Sequence, residues 1–290
     1  MKTAKFLLLI CLSSPSGFCN ELINGEKYVG AEPYHGRVTT AVCRYLASLV
    51  REKRPLSSLE HPVTENHAEL EKALSQVRIS AFDHVGQLDG QSYPDLYVPK
   101  TGPAYVHKKN VTKLGRLANE AAEEWHAYQS DKLFDLKVVP PTVLNREGQV
   151  LQLFIPRLGG EKTPGQIPPE RERDYRRIRF LGSVLFKGYE TGEPFVDETG
   201  KAWVVDFGLA KRVDPRTDPI PQDAVLRSMR DPDLERKLSE VVEEIGADVA
   251  GLTDRQISDK YYGALGANSK RSLMEWQIYL SKVKAAFDRL

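Results

Sequence analysis

Cysteine is scarce in this chain, and neither sign of charge is in excess. Cys11, Cys19 and Cys43 are its three cysteines. The first two lie in an apolar N-terminal stretch that reads as a leader. With that leader removed only Cys43 is left, so no intrachain disulfide forms and a disulfide framework is excluded. The 41 Lys and Arg residues nearly cancel the 40 Asp and Glu residues, which leaves no bulk attraction to nucleic acid or to an anionic membrane surface. A structural zinc is not expected either. No Cys/His cluster has ligand spacing, and His61 and His67 sit in a polar, Pro-interrupted region. No internal repeat is visible, and the longest apolar run near the start, Phe6 to Leu12, is too short to span a bilayer.

A 290-residue chain with 41% hydrophobic residues can bury a substantial core, as one two-lobed domain or two smaller ones. Lys2 and Lys5, the apolar run, and then small and polar residues ending in Gly17 and Cys19 have the layout of a secretory signal peptide. Residues 1–19 are expected to be cleaved before Asn20, making the protein secreted or otherwise exported. Cys43 falls on an apolar helical stripe and reads as a small buried residue.

Beyond the leader, residues 20–78 read as a helical extension, with helices over 39–53 and 65–77. From 79 to about 109 short apolar pieces separated by Asp-Gly, Tyr-Pro and Thr-Gly-Pro predict β-hairpins. A helix is expected from Val111 to Gln129, with Leu114, Leu117, Ala118, Ala121, Trp125 and Tyr128 on one face. "LKVVPPTVLNREGQVLQLFIP" predicts a strand, a Pro-Pro break, a second strand, a turn at 146–148 and a third strand over 150–155. A Pro/Gly-rich connector near residue 160 then separates a β-rich part (79–160) from a mainly helical part (161–290). In the latter, helices are predicted over 170–186, 223–246, 253–263 and 269–289. Leu273, Trp276, Tyr279, Leu280, Val283 and Phe287 form the core stripe of the last. The fold class is therefore α+β, and the junction of two such lobes is a place that ligands favour.

The segment "GKAWVVDFGLAKR" ends a short apolar strand, Ala202 to Val205, in Asp206-Phe207-Gly208. A carboxylate projected from a strand end can hold magnesium, which prefers one or two hard oxygen ligands beside phosphate oxygens. The same letters also fit an ordinary strand–turn whose Asp caps the next segment.

Taken with "AYVHKK", "LANEAAEEWHAY" and "LKVVPPTVLNREGQVLQLFIP", this segment resembles the atypical kinases related to HipA-like and phosphatidylinositol kinase-like proteins. The resemblance covers about residues 80–212. It implies a two-lobed protein-kinase-like fold that binds ATP and magnesium. In "AYVHKK" it implies Lys108 as the phosphate-holding lysine, since a triphosphate needs a cation to offset its charge. Lys109, on the opposite face of the strand, and Lys100 compete for that role. Glu120 fits the Asn-Glu of the family pattern as the partner carboxylate. At about one hundred degrees per residue, Glu124 lies one turn on, nearer the buried face, and could serve instead. The hinge contacting adenine would lie near Gln152 to Ile155, with Gln152 and Phe154 as cofactor-binding residues, and Asp206 would take the metal.

The catalytic loop departs from the family. Where such kinases carry an Asp and, five residues on, an Asn, "FKGYETGEPFVDETG" places Tyr189 and Pro194. Glu190 and Glu193 are the nearby carboxylates that could substitute as base. The expected function is phosphoryl transfer, or alternatively nucleotidyl transfer, to a protein or other hydroxyl acceptor. A catalytically impaired pseudokinase acting as a binding or scaffold module is the alternative, and an unrelated α+β domain is the third.

Overall fold

The structure, a computed structural model, describes residues 78–87, 94–98, 104–109, 111–113, 116–118, 120–155, 169–187, 194–196, 201–205, 207 and 210–290, with backbone only for 87, 111–113, 116–118, 120, 169–170 and 195–196. The expected leader (1–19), the helical extension as far as residue 77 and Cys43 lie outside the described residues. Among the described residues no helix is long and apolar enough to cross a membrane. The chain is α+β and forms two compact units. One gathers the described residues up to Ala121 with those of 140–164 and 195–201. The other gathers 122–139, those of 165–194, and those of 202–290.

The first unit is built on a five-stranded antiparallel sheet in the order β1-β2-β3-β7-β6. Its strands are β1 (Asp83–Gln87), β2 (Asp95–Val98), β3 (Tyr105–Lys108), β6 (Thr142–Leu144) and β7 (Val150–Leu153). Sequential strands pair as hairpins, as the turn signals predict. The β6–β7 hairpin closes on Asn145, whose Oδ1 accepts the N–H groups of Glu147 and Gln149, each at 2.9 Å. Gly148 takes the left-handed conformation there (φ 72°), which costs glycine nothing.

Register assigns the faces. Asp95 pairs with His107, Leu96 with Val106, Val106 with Gln152 and Lys108 with Val150. Side chains alternate along a strand, so Tyr105 and His107 share one face while Val106, Lys108 and Gln152 share the other. The first face carries a small core of Tyr105, Val143, Leu151 and Leu153, against which Ile79 and Phe82 lie.

The stretch expected to open a helix at Val111 forms a hairpin instead, β4 (Val111–Lys113) against β5 (Arg116–Ala118). Helix α1 starts only at Glu120 and runs to Leu133. The apolar spacing of Leu114 and Leu117 mimics a helix face, but β-branched Val111-Thr112 and a glycine at 115 suit two short strands better.

The second unit is helical, with α1 joined by α2 (Pro169–Phe180), α3 (Asp223–Arg227), α4 (Pro232–Gly251), α5 (Asp254–Leu265) and α6 (Lys270–Asp288). Short strands β8 (Phe186–Lys187) and β11 (Lys211–Arg212) pair antiparallel. β10 (Ala202–Trp203) belongs to this unit as well, whereas β9 (Phe195–Val196) falls in the first. Leu238, Val241 and Ile245 of α4 share the main core with the full predicted stripe of α6. Each such buried side chain contributes about 1.5–3 kcal/mol relative to exposure.

The single helix expected over 223–246 is two, α3 and α4. Asp231 caps α4, its side chain accepting the Asp233 N–H at 3.0 Å, and Pro232 occupies the first helical position, where its missing N–H costs nothing. Thr253 with Gln256, and Ser269 with Ser272, form capping boxes at the starts of α5 and α6.

The strand expected at 136–139 is absent. Asp131, buried at the end of α1, accepts the N–H groups of Lys137 (3.0 Å), Val138 (2.7 Å) and Val139 (2.8 Å). That carboxylate uses the donors a sheet would need and curls the chain through left-handed Asp135 and Lys137.

Candidate functional site

Strand β3 ends in Lys108, which is only 8% exposed. Its neighbours along the same sheet face are Val106 and Leu96, also buried. An aliphatic strip ending in a lysine suits a ligand with a flat apolar part and an anionic tail. Lys109 does not share that face. It forms an ion pair with Asp95, which also binds His84 Nε2 at 3.3 Å. The ion pair and hydrogen bond from Lys109 hold the Asp95 carboxyl below its ordinary range, against the opposing effect of its burial. Of the two adjacent lysines, Lys109 is thus tied to the β1–β2 hairpin and Lys108 lines the aliphatic face. Lys100 lies outside the described residues.

Gln152 shares the Lys108 face, but its amide Nε2 donates to Thr142 Oγ1 at 3.0 Å, and that hydroxyl donates to the Pro140 carbonyl at 2.8 Å. The side chain therefore fastens β7 to the Pro-Pro turn. At the end of β7 the Phe154 N–H donates to the Ala104 carbonyl at 2.9 Å. That donor is committed to the sheet, so any adenine contact from Phe154 would have to come from its other groups.

In the second unit, α1 and the Asp-Phe-Gly segment meet. Glu124 is fully buried, and its Oε1 accepts the N–H of Phe207 at 3.3 Å. A buried carboxylate is unfavourable unless hydrogen bonds or cations compensate it, so its placement on the backbone next to Asp206 is a specific feature. The strand leading there is held from two sides. The Ala202 N–H donates to Asp174 at 3.0 Å and the Val204 N–H to the Val138 carbonyl at 2.8 Å. Phe207 itself is buried, with its ring 5.4 Å from that of Phe186. The residues flanking Asp206 are thereby fixed. Asp206, Glu190 and Glu193 themselves lie outside the described residues, as does the side chain of Glu120. Among the described residues no three potential metal ligands cluster.

Around Glu124 the helix carries an unusual load of buried polar groups. His126 Nδ1 hydrogen-bonds the Gly263 carbonyl at 2.8 Å, and Arg212 Nη2 approaches His126 Nε2 at 3.2 Å. This pairing requires the proton on Nδ1, leaving Nε2 to accept. Burial, reinforced by the nearby Arg212 charge, pushes the imidazole down to about 4. Burial raises the Glu123 carboxyl, with Arg212 opposing. Neither His126 nor Arg212 stands out in the sequence. The one signal there is weak: His126 and Ser130 stand four apart on the helix, and so on one face of it.

Among solved structures, the chain is similar to the crystal structure of the Golgi casein kinase. The identity is 11% and the TM-score 0.47, over 77% of this chain and 74% of that one. No protein-family model and no curated protein matches the sequence.

Proposed function

We propose that this protein is a kinase-like, ATP- and magnesium-binding protein that transfers a phosphoryl group to a hydroxyl acceptor. The observation that carries this reading is the hydrogen bond from the Phe207 N–H to the buried Glu124 carboxylate. A helix glutamate seated on the backbone of an Asp-Phe-Gly segment has little purpose in an ordinary strand end. It makes sense where the preceding aspartate must be held in one orientation. Lys108 supports the reading independently, as a buried cation at the end of an aliphatic strip on the sheet. The chemistry of this donor set fits a nucleotide. Lys108 would take phosphate charge, Val106 would underlie the base, and Asp206 would hold magnesium. Bound magnesium would neutralise charge that develops on the transferred phosphoryl group. Glu124 acts as the orienting carboxylate in this scheme, with Glu120 as the competing assignment from the sequence. Glu190 or Glu193 would accept the acceptor's proton.

A second reading, a pseudokinase that binds nucleotide without efficient turnover, is favoured by one feature. Tyr189 and Pro194 stand where such kinases carry Asp and Asn. General-base assistance contributes about 10²–10⁴-fold, so its loss slows transfer without preventing binding. Export along a secretory route is supported by the leader-like layout of residues 1–19.

The test is a thermal unfolding series of the full chain with ATP and magnesium, followed by incubation with γ-labelled ATP and acceptor proteins. Ligand at one hundred times its Kd adds about 2.7 kcal/mol. A midpoint that rises with ATP only when magnesium is present supports the reading. Label transfer separates enzyme from pseudokinase. No shift with any purine nucleotide contradicts both.

A further inference from the structure

The last carbonyls of an α-helix have no partner within the helix and are satisfied from outside or by water. At the end of α5 they are taken up by side chains remote in sequence. The Gly263 carbonyl accepts from His126 Nδ1 (2.8 Å), and that of Ala264 from Ser130 Oγ (2.6 Å). That of Tyr262 accepts from Arg212 Nη1 (2.9 Å) as well as from the Gly266 N–H (2.9 Å). His126 and Ser130 sit four residues apart, on one face of α1. Arg212 also donates to His126 Nε2 at 3.2 Å and lies 5.6 Å from the Tyr262 ring centroid.

Two glycines make the approach possible. A Cβ on Gly263 would come within 3.2 Å of Trp125 and 3.0 Å of Gln129, and one on Gly266 within 2.6 Å of Arg212 Nη1. Gly266 has φ +69° and ends the helix, so Arg212 enters where only glycine leaves room. Two elements converge on the end of α5: α1, which carries Glu124, and β11, which closely succeeds the Asp-Phe-Gly.

We infer that His126, Ser130 and Arg212 are positioning residues that hold α1 in the register where Glu124 grips the Phe207 backbone. The geometry stands within the second unit, and its consequence for nucleotide binding rests on the function proposed above. In this arrangement the orienting glutamate is set by the fold itself. Glu123, beside Glu124 and close to Arg212, gains charge compensation from the same guanidinium, which adds to its hold on α1.

The test uses the full chain without nucleotide, labelled with ¹⁵N-phenylalanine, and follows amide hydrogen exchange. Phe207 reports the Glu124 contact, and Phe287, buried in α6, reports the core. The variants are Arg212→Ala, His126→Leu, and His126→Gln, which retains a donor and an acceptor. Exchange at Phe207 at least tenfold faster in the first two, with Phe287 unchanged and His126→Gln close to wild type, is the expected result. Phe207 exchange unchanged in both disruptive variants overturns the inference. So does acceleration of Phe207 and Phe287 by the same factor, which marks a general loss of stability. Titration of the same samples with ATP and magnesium separates the two proposals. Loss of Phe207 protection in a protein that binds no nucleotide keeps the positioning role and removes the nucleotide reading. Under the nucleotide reading, Kd rises in Arg212→Ala and His126→Leu and returns toward wild type in His126→Gln.

Discussion

Acid should loosen this protein through one imidazole. His126 is buried, donates from Nδ1 to Gly263 and accepts from Arg212 at Nε2, so protonation would place a second cation against the guanidinium. Its folded value of about 4 lies below the ordinary 6.5. Between those two limits the unfolded chain binds more protons than the folded one. Stability is therefore fully present above pH 6.5 and falls as pH drops toward 4. Lowering the pH from 7 to 5 should cost about 2 kcal/mol through this group alone. Glu123 works the other way above its ordinary 4.5, because burial raises its folded value. A raw pH profile therefore mixes the two. His126→Gln keeps Glu123 and Arg212, offers an amide donor to Gly263 and an acceptor to Arg212, and does not titrate. Urea unfolding of both proteins at pH 7, 6 and 5 should show wild type losing about 2 kcal/mol more than the variant. Parallel profiles would refute the reasoning, as would an imidazole that titrates by NMR at 6.5 or higher in the folded protein.

Asp131→Ala should lower stability by about 3–5 kcal/mol, since three backbone N–H groups lose their shared buried side-chain acceptor. Urea unfolding measures it, and a loss below about 1 kcal/mol would mean that water replaces the carboxylate. Lys137 has φ 61° and contributes its N–H, not its side chain, to the Asp131 contact. Lys137→Gly should therefore raise stability by about 0.5–1 kcal/mol by removing left-handed strain, seen as a higher melting temperature.

Much of the architecture is legible in local signals. The Asp-Gly, Tyr-Pro and Thr-Gly-Pro punctuation of 79–104 points to consecutive hairpins, and the apolar stripe of α6 is complete. Where local and tertiary signals compete, sequence reasoning goes astray. Leu114 and Leu117 are spaced as on a helix, but Leu117 falls in strand β5. Val138 and Val139 favour a strand, yet Asp131 takes their donors. A single helix over 223–246 misses the break that Asp231-Pro232 imposes. Glu120 and Glu124 both stay open because helix geometry alone cannot say which flank is covered, and full burial of Glu124 emerges only from packing. Arg212, His126 and Gly263 are invisible as a group, since His126 lies 86 residues from Arg212 and 137 from Gly263 in the chain.

The central claim is that the buried lysine of β3 and the glutamate seated on Phe207 serve a magnesium nucleotide. Isothermal titration of the wild-type chain, Lys108→Met and Glu124→Gln with ATP, each with and without magnesium, tests it most directly. The account predicts saturable, magnesium-dependent binding by wild type. Affinity should fall at least tenfold in Lys108→Met, and less in Glu124→Gln, whose amide can still accept from the Phe207 N–H. Wild-type binding of equal strength in Lys108→Met, or no binding of any purine nucleotide by a folded wild-type chain, would contradict it.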